Sequence, residues 1–354
     1  MHLYFDNVQS AFHTLVRDVH EGKIPTTKTT SRYGDIQKIC EPVMITYRNP
    51  CQRVLINPAR DANSFFHVYE SLWMLAGRRD VASLAYYNAK MRDFSDDGKE
   101  FNAAYGFRWK HNFGYDKWMD TAIGKMSQWT EIDQLKTIID QLKRKPDSRR
   151  CWLEIWDVQQ DLINIDDSKD LACNVGASFR INPATGALDI SVHNRSNDMI
   201  WGCLGANVVQ FSILLEYMAA HIGVPVGKYH QITDDLHIYQ ATWFPDRWLE
   251  AEGNELNVPR QHVPLVKDPA IFDQEVVKFV DLSPHERTIT NWKEPFLQHV
   301  ATPMCHVFNL HKDRHYDMAI KGIELIKAED WSLAATQWVE KRKKAWEAKQ
   351  GSAE

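Results

Sequence analysis

The chain has 354 residues, 44% hydrophobic and 25% charged, with a formal net charge of −5; that length is ample to bury a core as one large domain or two smaller ones. The acidic balance excludes a general nucleic-acid binder, which carries a basic excess, and leaves room for a small anionic ligand held by a local arginine cluster. The first 22 residues place Phe5, Val8, Phe12, Leu15, Val16 and Val19 at helical spacing with charges between them, which fits neither a secretion signal nor a membrane span.

After that helix, the threonine-rich residues 26–35, ending Ser31-Arg32-Tyr33-Gly34-Asp35, read as a polar loop able to wrap a ligand. Residues 43–47 and 53–56 read as strand pieces. Residues 64–77 read as a helix with Phe65, Val68, Tyr69, Leu72 and Leu75 on its buried side, Gly77 as its stop and Glu70 among apolar neighbours. A polar loop, 93–102, precedes Ala103-Ala104-Tyr105-Gly106. Residues 151–156 read as a strand, 161–170 as an acidic loop, and 173–180 with 188–193 as a hairpin about the turn Asn182-Pro183-Ala184-Thr185-Gly186. Residues 208–222 read as an apolar core helix, too short and too polar for a membrane. A last helix, 330–349, carries the basic run Lys341-Arg342-Lys343-Lys344 as a solvated face.

Six cysteines lie scattered without paired spacing, so reduced thiols are expected and most serve as small core hydrophobes. Asn194-Arg195-Ser196 matches a glycosylation sequon that a chain lacking a secretion signal leaves unused. Residues 93–104 begin like a calcium loop, but Ala104 stands where the bidentate glutamate belongs. His311 and His315, with Cys305 and His306 upstream, have metal-ligand spacing without the glutamate of a zinc protease, and read as structural.

The chemistry lies in Leu171-Ala172-Cys173-Asn174, then Asn194-Arg195-Ser196-Asn197-Asp198, then Asn207, then Asp234-Asp235-Leu236-His237-Ile238-Tyr239. A thiol, an Arg-Ser pair, a lone amide and a His-x-Tyr pair are parts suited to holding a nucleotide and attacking its base. Arg149-Arg150 and Arg195-Ser196 suit a phosphate, through paired charge-assisted hydrogen bonds. Arg195, Arg149 and Arg150 are also candidates to lower the pKa of Cys173. His237 and Tyr239, two apart on a strand, point to one face.

In that fixed order these motifs resemble the thymidylate synthase superfamily, which includes the pyrimidine nucleotide hydroxymethylases; the likeness is strongest from Asp147-Ser148-Arg149-Arg150 to Tyr239. The resemblance implies an α/β (α+β) fold, with a large mixed sheet flanked by helices and packed back to back with its twin in a homodimer. It implies one domain over residues 1–354, with a helical extension from about 316 to the end. Cys173 would attack C6 of a pyrimidine, Glu70 would relay protons through ordered water, and Tyr105 would help remove the C5 proton. The phosphate of a nucleotide monophosphate would meet Arg195, Ser196 and Arg32, with Arg149 and Arg150 supplied by the partner subunit. His237 and Tyr239 would bind the 3′-hydroxyl of a deoxyribose, Asn207 the base edge, and Asp198 the pterin of 5,10-methylenetetrahydrofolate.

An amide at 207 suits uracil, whereas cytosine-specific relatives tend to carry aspartate there. The spacing from Asp198 to Asn207 is one residue longer than in thymidylate synthases. Three departures favour water addition over reduction: Leu171-Ala172-Cys173-Asn174 in place of Pro-Pro-Cys-His, Met91 and Phe94 in place of tryptophans, and a polar C-terminal tail from Glu347. The expected enzyme is a cytoplasmic deoxyuridylate hydroxymethylase making 5-hydroxymethyl-dUMP in a bacterium or phage-infected host, with no metal, no nucleic acid and no membrane. Thymidylate synthase, deoxycytidylate hydroxymethylase and a silent nucleotide- or RNA-binding homologue are the alternatives.

Overall fold

The computed structural model describes residues 1–121, 124–251 and 262–351. Its strands are β1 (His2–Phe5), β2 (Thr26–Ser31), β3 (Gly34–Ile39), β4 (Val43–Tyr47), β5 (Gly114–Thr121), β6 (Gly124–Glu131), β7 (Trp152–Glu154), β8 (Asn174–Ile181), β9 (Leu188–Asn194), β10 (Asn197–Asp198), β11 (Val226–Thr233) and β12 (Leu236–Tyr239). A six-stranded mixed sheet runs β1-β4-β11-β9-β8-β7, a four-stranded sheet runs β10-β12-β3-β2, and β5 and β6 form a separate hairpin.

Alternation decides which face of the large sheet is core. Val43, Ile45 and Tyr47 on β4, Tyr229 and Gln231 on β11, and Leu188, Ile190 and Val192 on β9 are buried, two residues apart as a pleated strand requires. They pack against the helix Asn207–Ile222, which in turn packs on the helix Ser64–Leu75. The opposite sheet face is polar and half-buried. On it, Thr46 Oγ1 lies 2.8 Å from His2 Nε2 and 2.8 Å from His230 Nδ1, linking β1, β4 and β11.

Helix Ser64–Leu75 has two working faces. Phe65 meets Trp338 of the C-terminal helix Glu329–Gly351 at 5.2 Å between ring centroids, while Phe66, Glu70, Trp73 and Met74 line a cavity on the other side. The helix Tyr105–Lys110 closes against it at Gly106, where a Cβ would sit on the Met74 carbonyl oxygen; only glycine permits that approach. Behind Gly106, buried Arg108 pairs with Asp161 and donates to Ile155 O at 2.8 Å, fixing this helix to the end of β7.

Several expectations change. Residues 26–35 form the hairpin β2–β3 rather than a loop, with Arg32 and Tyr33 at its tip. Residues 53–56 are buried but pair with no strand among the described residues: Gln9 Oε1 accepts from Ile56 N–H at 3.0 Å and Gln9 Nε2 donates to Ile56 O at 3.0 Å, replacing a ladder. The first helix starts only at Val8, after β1. The basic run is not simply a solvated face, because Lys341 and Arg342 both pair with Asp61 and Lys343 pairs with Asp317 at 2.7 Å. The helical run Met199–Ile222 is longer than expected, at 24 residues, and apolar enough to cross a membrane, but 78% of its most apolar window is buried inside the protein.

Candidate active site

Cys173 stands immediately before β8, and a bulge between Asn174 and Gly176 re-aims the chain there. The carbonyl of Cys173 accepts from Arg195 N–H at 3.0 Å, which brings the ends of β8 and β9 together. Arg195 then turns its guanidinium back: Nε donates to Ala172 O at 2.8 Å and Nη2 lies 3.9 Å from Cys173 Sγ. Its cation also lies 5.5 Å from the Trp156 ring centroid. Arg32, from the hairpin tip, donates to Ser168 O at 3.1 Å on the segment leading to the thiol.

Burial nevertheless raises the Cys173 thiol above its ordinary value, against the pull of Arg195 and Arg32. The expected lowering is therefore corrected for the free chain: desolvating a thiolate outweighs two arginines already engaged with carbonyls. Arg149 and Arg150 lie away from the Cys173 of their own chain. Both are exposed and precede β7, whose register pairs Trp152 with Ser178. Extending that register puts Arg150 beside Arg180, so it lies about 20 Å along the strand from Cys173 at roughly 3.3 Å per residue.

A cavity of about 280 Å³ opens between helix Ser64–Leu75 and the segment before β8; Glu70, Tyr105, Asp170, Asn207 and Gln210 supply its polar lining. Met91 and Phe94 also line it. Burial pushes the Glu70 carboxyl up to about 7, although Gln210 Nε2 donates to it at 2.6 Å. Burial likewise raises Tyr105, and the nearby Cys173 adds to the effect. Asn207 Nδ2 donates to Asn174 Oδ1 at 3.1 Å.

Between Asp198 and Asn207 the chain makes a π-type turn, Met199–Ala206, in which Asn207 N–H donates to Gly202 O five residues back. Gly205 leaves helical geometry there, and Arg60 Nη2 donates to Ile200 O at 3.1 Å. Asn207 starts the core helix and lines the cavity. Asp198 begins this turn by accepting from Ile200 N–H at 2.8 Å, while its Oδ2 is buried without a partner among the described residues. Burial raises its carboxyl.

His237 and Tyr239 share one face of β12, with ring centroids 5.3 Å apart, and the Asp198–His237 pairing sets them beside the π-type turn. Ser196 is half-buried between Arg195 and β10. Sequence reasoning missed Asn174, Gln210 and Asp170 as site residues. The lone amide Gln210, three residues after Asn207 inside an apolar run, was the signal that could have found one of them.

Outside this site, Cys51, Glu216 and His262 have ligand atoms within 4.8 Å of one another. Burial alone would raise the Glu216 carboxyl, but Arg53 outweighs it and holds the group at about 2. Arg53 thus places a cation on the only carboxylate of the cluster. His311 instead packs against Trp338 at 4.7 Å.

The site sets a thiol beside a cavity lined by a buried carboxyl, a phenol and two amides. Residues 10–272 match the family model for thymidylate synthase, and the chain belongs to the thymidylate synthase family. It is 37% identical, over 98% of its length and 96% of the relative's, to a deoxyuridylate hydroxymethyltransferase of Pseudomonas phage M6. It is 45% identical over 202 residues to a deoxyuridylate hydroxymethyltransferase of Bacillus phage SP01, covering 57% of this chain and 50% of that one.

Proposed function

We propose that this chain converts dUMP to 5-hydroxymethyl-dUMP in the cytoplasm of an infected cell. The observation that carries the reading is the convergence of Glu70, Tyr105 and Asn207 on one cavity beside Cys173, in a chain similar over nearly its whole length to a phage enzyme of that name. One hydrophobic cluster from Phe5 to Val339 supports treating residues 1–354 as one domain with a helical extension from about 316.

Cys173 adds to C6 of the uracil, making C5 nucleophilic. Glu70, held by Gln210, moves protons at the base, and Tyr105 assists loss of the C5 proton. Arg195, Ser196 and Arg32 bind the phosphate; His237 and Tyr239 bind the sugar hydroxyl. The cavity suits 5,10-methylenetetrahydrofolate through the apolar walls of Phe66, Trp73, Met91, Phe94 and Phe101, and Asp198, at the start of the π-type turn that leads to Asn207, would meet its pterin. When bound, that co-substrate supplies a one-carbon unit at the oxidation level of formaldehyde.

Because Asn207 spends one N–H on Asn174, it has one N–H and its carbonyl left, matching O4 and N3–H of uracil. Asn207→Asp should move the kcat/KM ratio toward dCMP by roughly 10²-fold, since the carboxylate accepts from the cytosine amino group and is mismatched with uracil O4. An unchanged ratio in competition assays would detach Asn207 from base reading.

The homodimer forms through the polar outer face of the large sheet, and Arg149 and Arg150 reach the partner's phosphate. Mixing inactive Cys173→Ala and Arg150→Ala chains, with subunit exchange, should restore about a quarter of parental activity, because half the dimers are mixed and each has one intact site. No recovery despite confirmed exchange argues for arginines acting within their own chain.

The direct test is to give the purified protein dUMP or dCMP with methylenetetrahydrofolate, weigh the nucleotide product and follow dihydrofolate by absorbance. Hydroxymethyl-dUMP without dihydrofolate is expected. A methyl product with dihydrofolate would make the chain a thymidylate synthase.

A further inference from the structure

Hydroxymethylation needs one group that reductive methylation does not: something to take a proton from the water that ends on the one-carbon unit. Glu70 is poorly placed to do this as well, because it belongs to helix Ser64–Leu75 and its carboxylate is held by Gln210 from the core helix. The opposite wall, formed by the segment leading to Cys173, contributes one more ionisable side chain to the same cavity.

That residue is Asp170. Its Oδ2 accepts from Ala103 N–H at 3.1 Å, and the Asn102 amide also faces the carboxylate. These bonds come from the turn just before Tyr105, so Asp170 and Tyr105 are tied to the same short stretch of backbone. Three residues later comes Cys173, and the intervening carbonyls of Leu171 and Ala172 are held by Arg195 at 3.4 and 2.8 Å. The carboxylate is thus fixed relative to the thiol from both sides. A carboxylate has about four lone-pair positions, so two backbone donors leave capacity for a water. Met91, Phe94, Phe101 and Leu171 wall the cavity that the carboxylate shares with the polar groups of the opposite side.

Resting on the hydroxymethylase reading, we propose that Asp170 is the catalytic base for the water-addition step. The nucleotide at that stage carries an exocyclic methylene on C5 and the Cys173 thioether on C6. Water oxygen bonds to the methylene carbon while one of its protons passes to the Asp170 carboxylate. The electron pair of the C5-methylene double bond moves onto C5 and O4 as an enolate. It returns to form the C5–C6 double bond as the C6–S bond breaks, releasing Cys173 as thiolate. No oxidant or reductant takes part.

Burial, the first influence on this side chain, raises the Asp170 carboxyl to about 6 against the backbone bonds from Ala103 and Asn102. A group so poised is mostly ionised at neutral pH and is a better base than an ordinary aspartate.

The test is Asp170→Asn, which keeps the shape and an acceptor for Ala103 N–H. Hydroxymethyl-dUMP formation should fall by roughly 10²–10³-fold. Release of tritium from [5-³H]dUMP, which reports the steps before water addition, should fall less than about threefold, as should dUMP affinity by calorimetry. With millimolar 2-mercaptoethanol the stranded methylene should be captured as a thioether nucleotide visible by mass. Formate should partly restore hydroxymethyl product to Asp170→Ala, a rescue that a purely structural role would not give.

Hydroxymethyl product within threefold of the parent overturns the proposal. So does tritium release falling in parallel with product, or a variant whose loss follows lost dUMP binding. Failure of the underlying reading is seen separately: a parental chain that makes dTMP and dihydrofolate removes water addition altogether.

Discussion

Replacing Cys173 by alanine should reduce turnover of dUMP by roughly 10⁵-fold or more, the scale found when a nucleophile is removed from a machine whose parts act together. The other expected contacts stay intact. Arg195 is positioned by its own backbone bond to residue 173 and by the carbonyl of Ala172, neither of which needs the sulfur. Asn207 is fixed by Asn174, and His237 and Tyr239 by β12. Calorimetry should therefore show dUMP binding to the variant within a few-fold of the parent while mass spectrometry finds no product. Folding should be little affected, because Cys173 is only half-buried. Turnover within 100-fold of the parent would remove Cys173 as the nucleophile. Loss of binding together with turnover would point to a structural thiol.

Much of this site was legible because its residues lie at strand ends and helix starts, where local sequence carries strong signals. The β8–β9 hairpin follows from alternation about Asn182 to Gly186, and with it the closeness of Cys173 to Arg195. The His237 and Tyr239 pair follows from period two alone. What failed depended on partners distant in sequence. Residues 26–31 have both faces largely exposed, so no apolar alternation marks β2, and the β-branched threonines were the signal that remained. Residues 53–56 have the composition of a strand, but the Gln9 side chain satisfies Ile56, and no local pattern reveals that. The fall in Cys173 pKa expected from nearby arginines is overturned by the burial of the sulfur, a tertiary quantity. The π-type turn before Asn207, with Gly205 outside helical geometry and Arg60 on Ile200 O, was not legible in the sequence.

Glu70→Gln should lower activity and raise stability, and the two effects have one cause. Burial lifts the Glu70 carboxyl from an ordinary 4.5 to about 7, so the folded chain binds a proton there more tightly than the unfolded chain. Stability from this group is therefore fully present below pH 4.5, declines as pH rises from about 4.5 to 7, and is absent above that window. At 1.36 kcal/mol per pH unit, that span amounts to about 3 kcal/mol of stability lost by pH 8. Glutamine cannot ionise, and its new N–H donors meet a ready acceptor: Gln210 Oε1 is buried without a partner among the described residues, beside the Nε2 that already bonds residue 70. The variant should consequently show a higher melting temperature than the parent at pH 8 and little gain at pH 4.5, by differential scanning calorimetry. Turnover should fall by roughly 10²–10⁴-fold, since an amide cannot carry protons to and from the base. A variant equally stable at both pH values would mean that the Glu70 carboxylate is not strained by burial. Retained turnover would instead move the proton relay to another group.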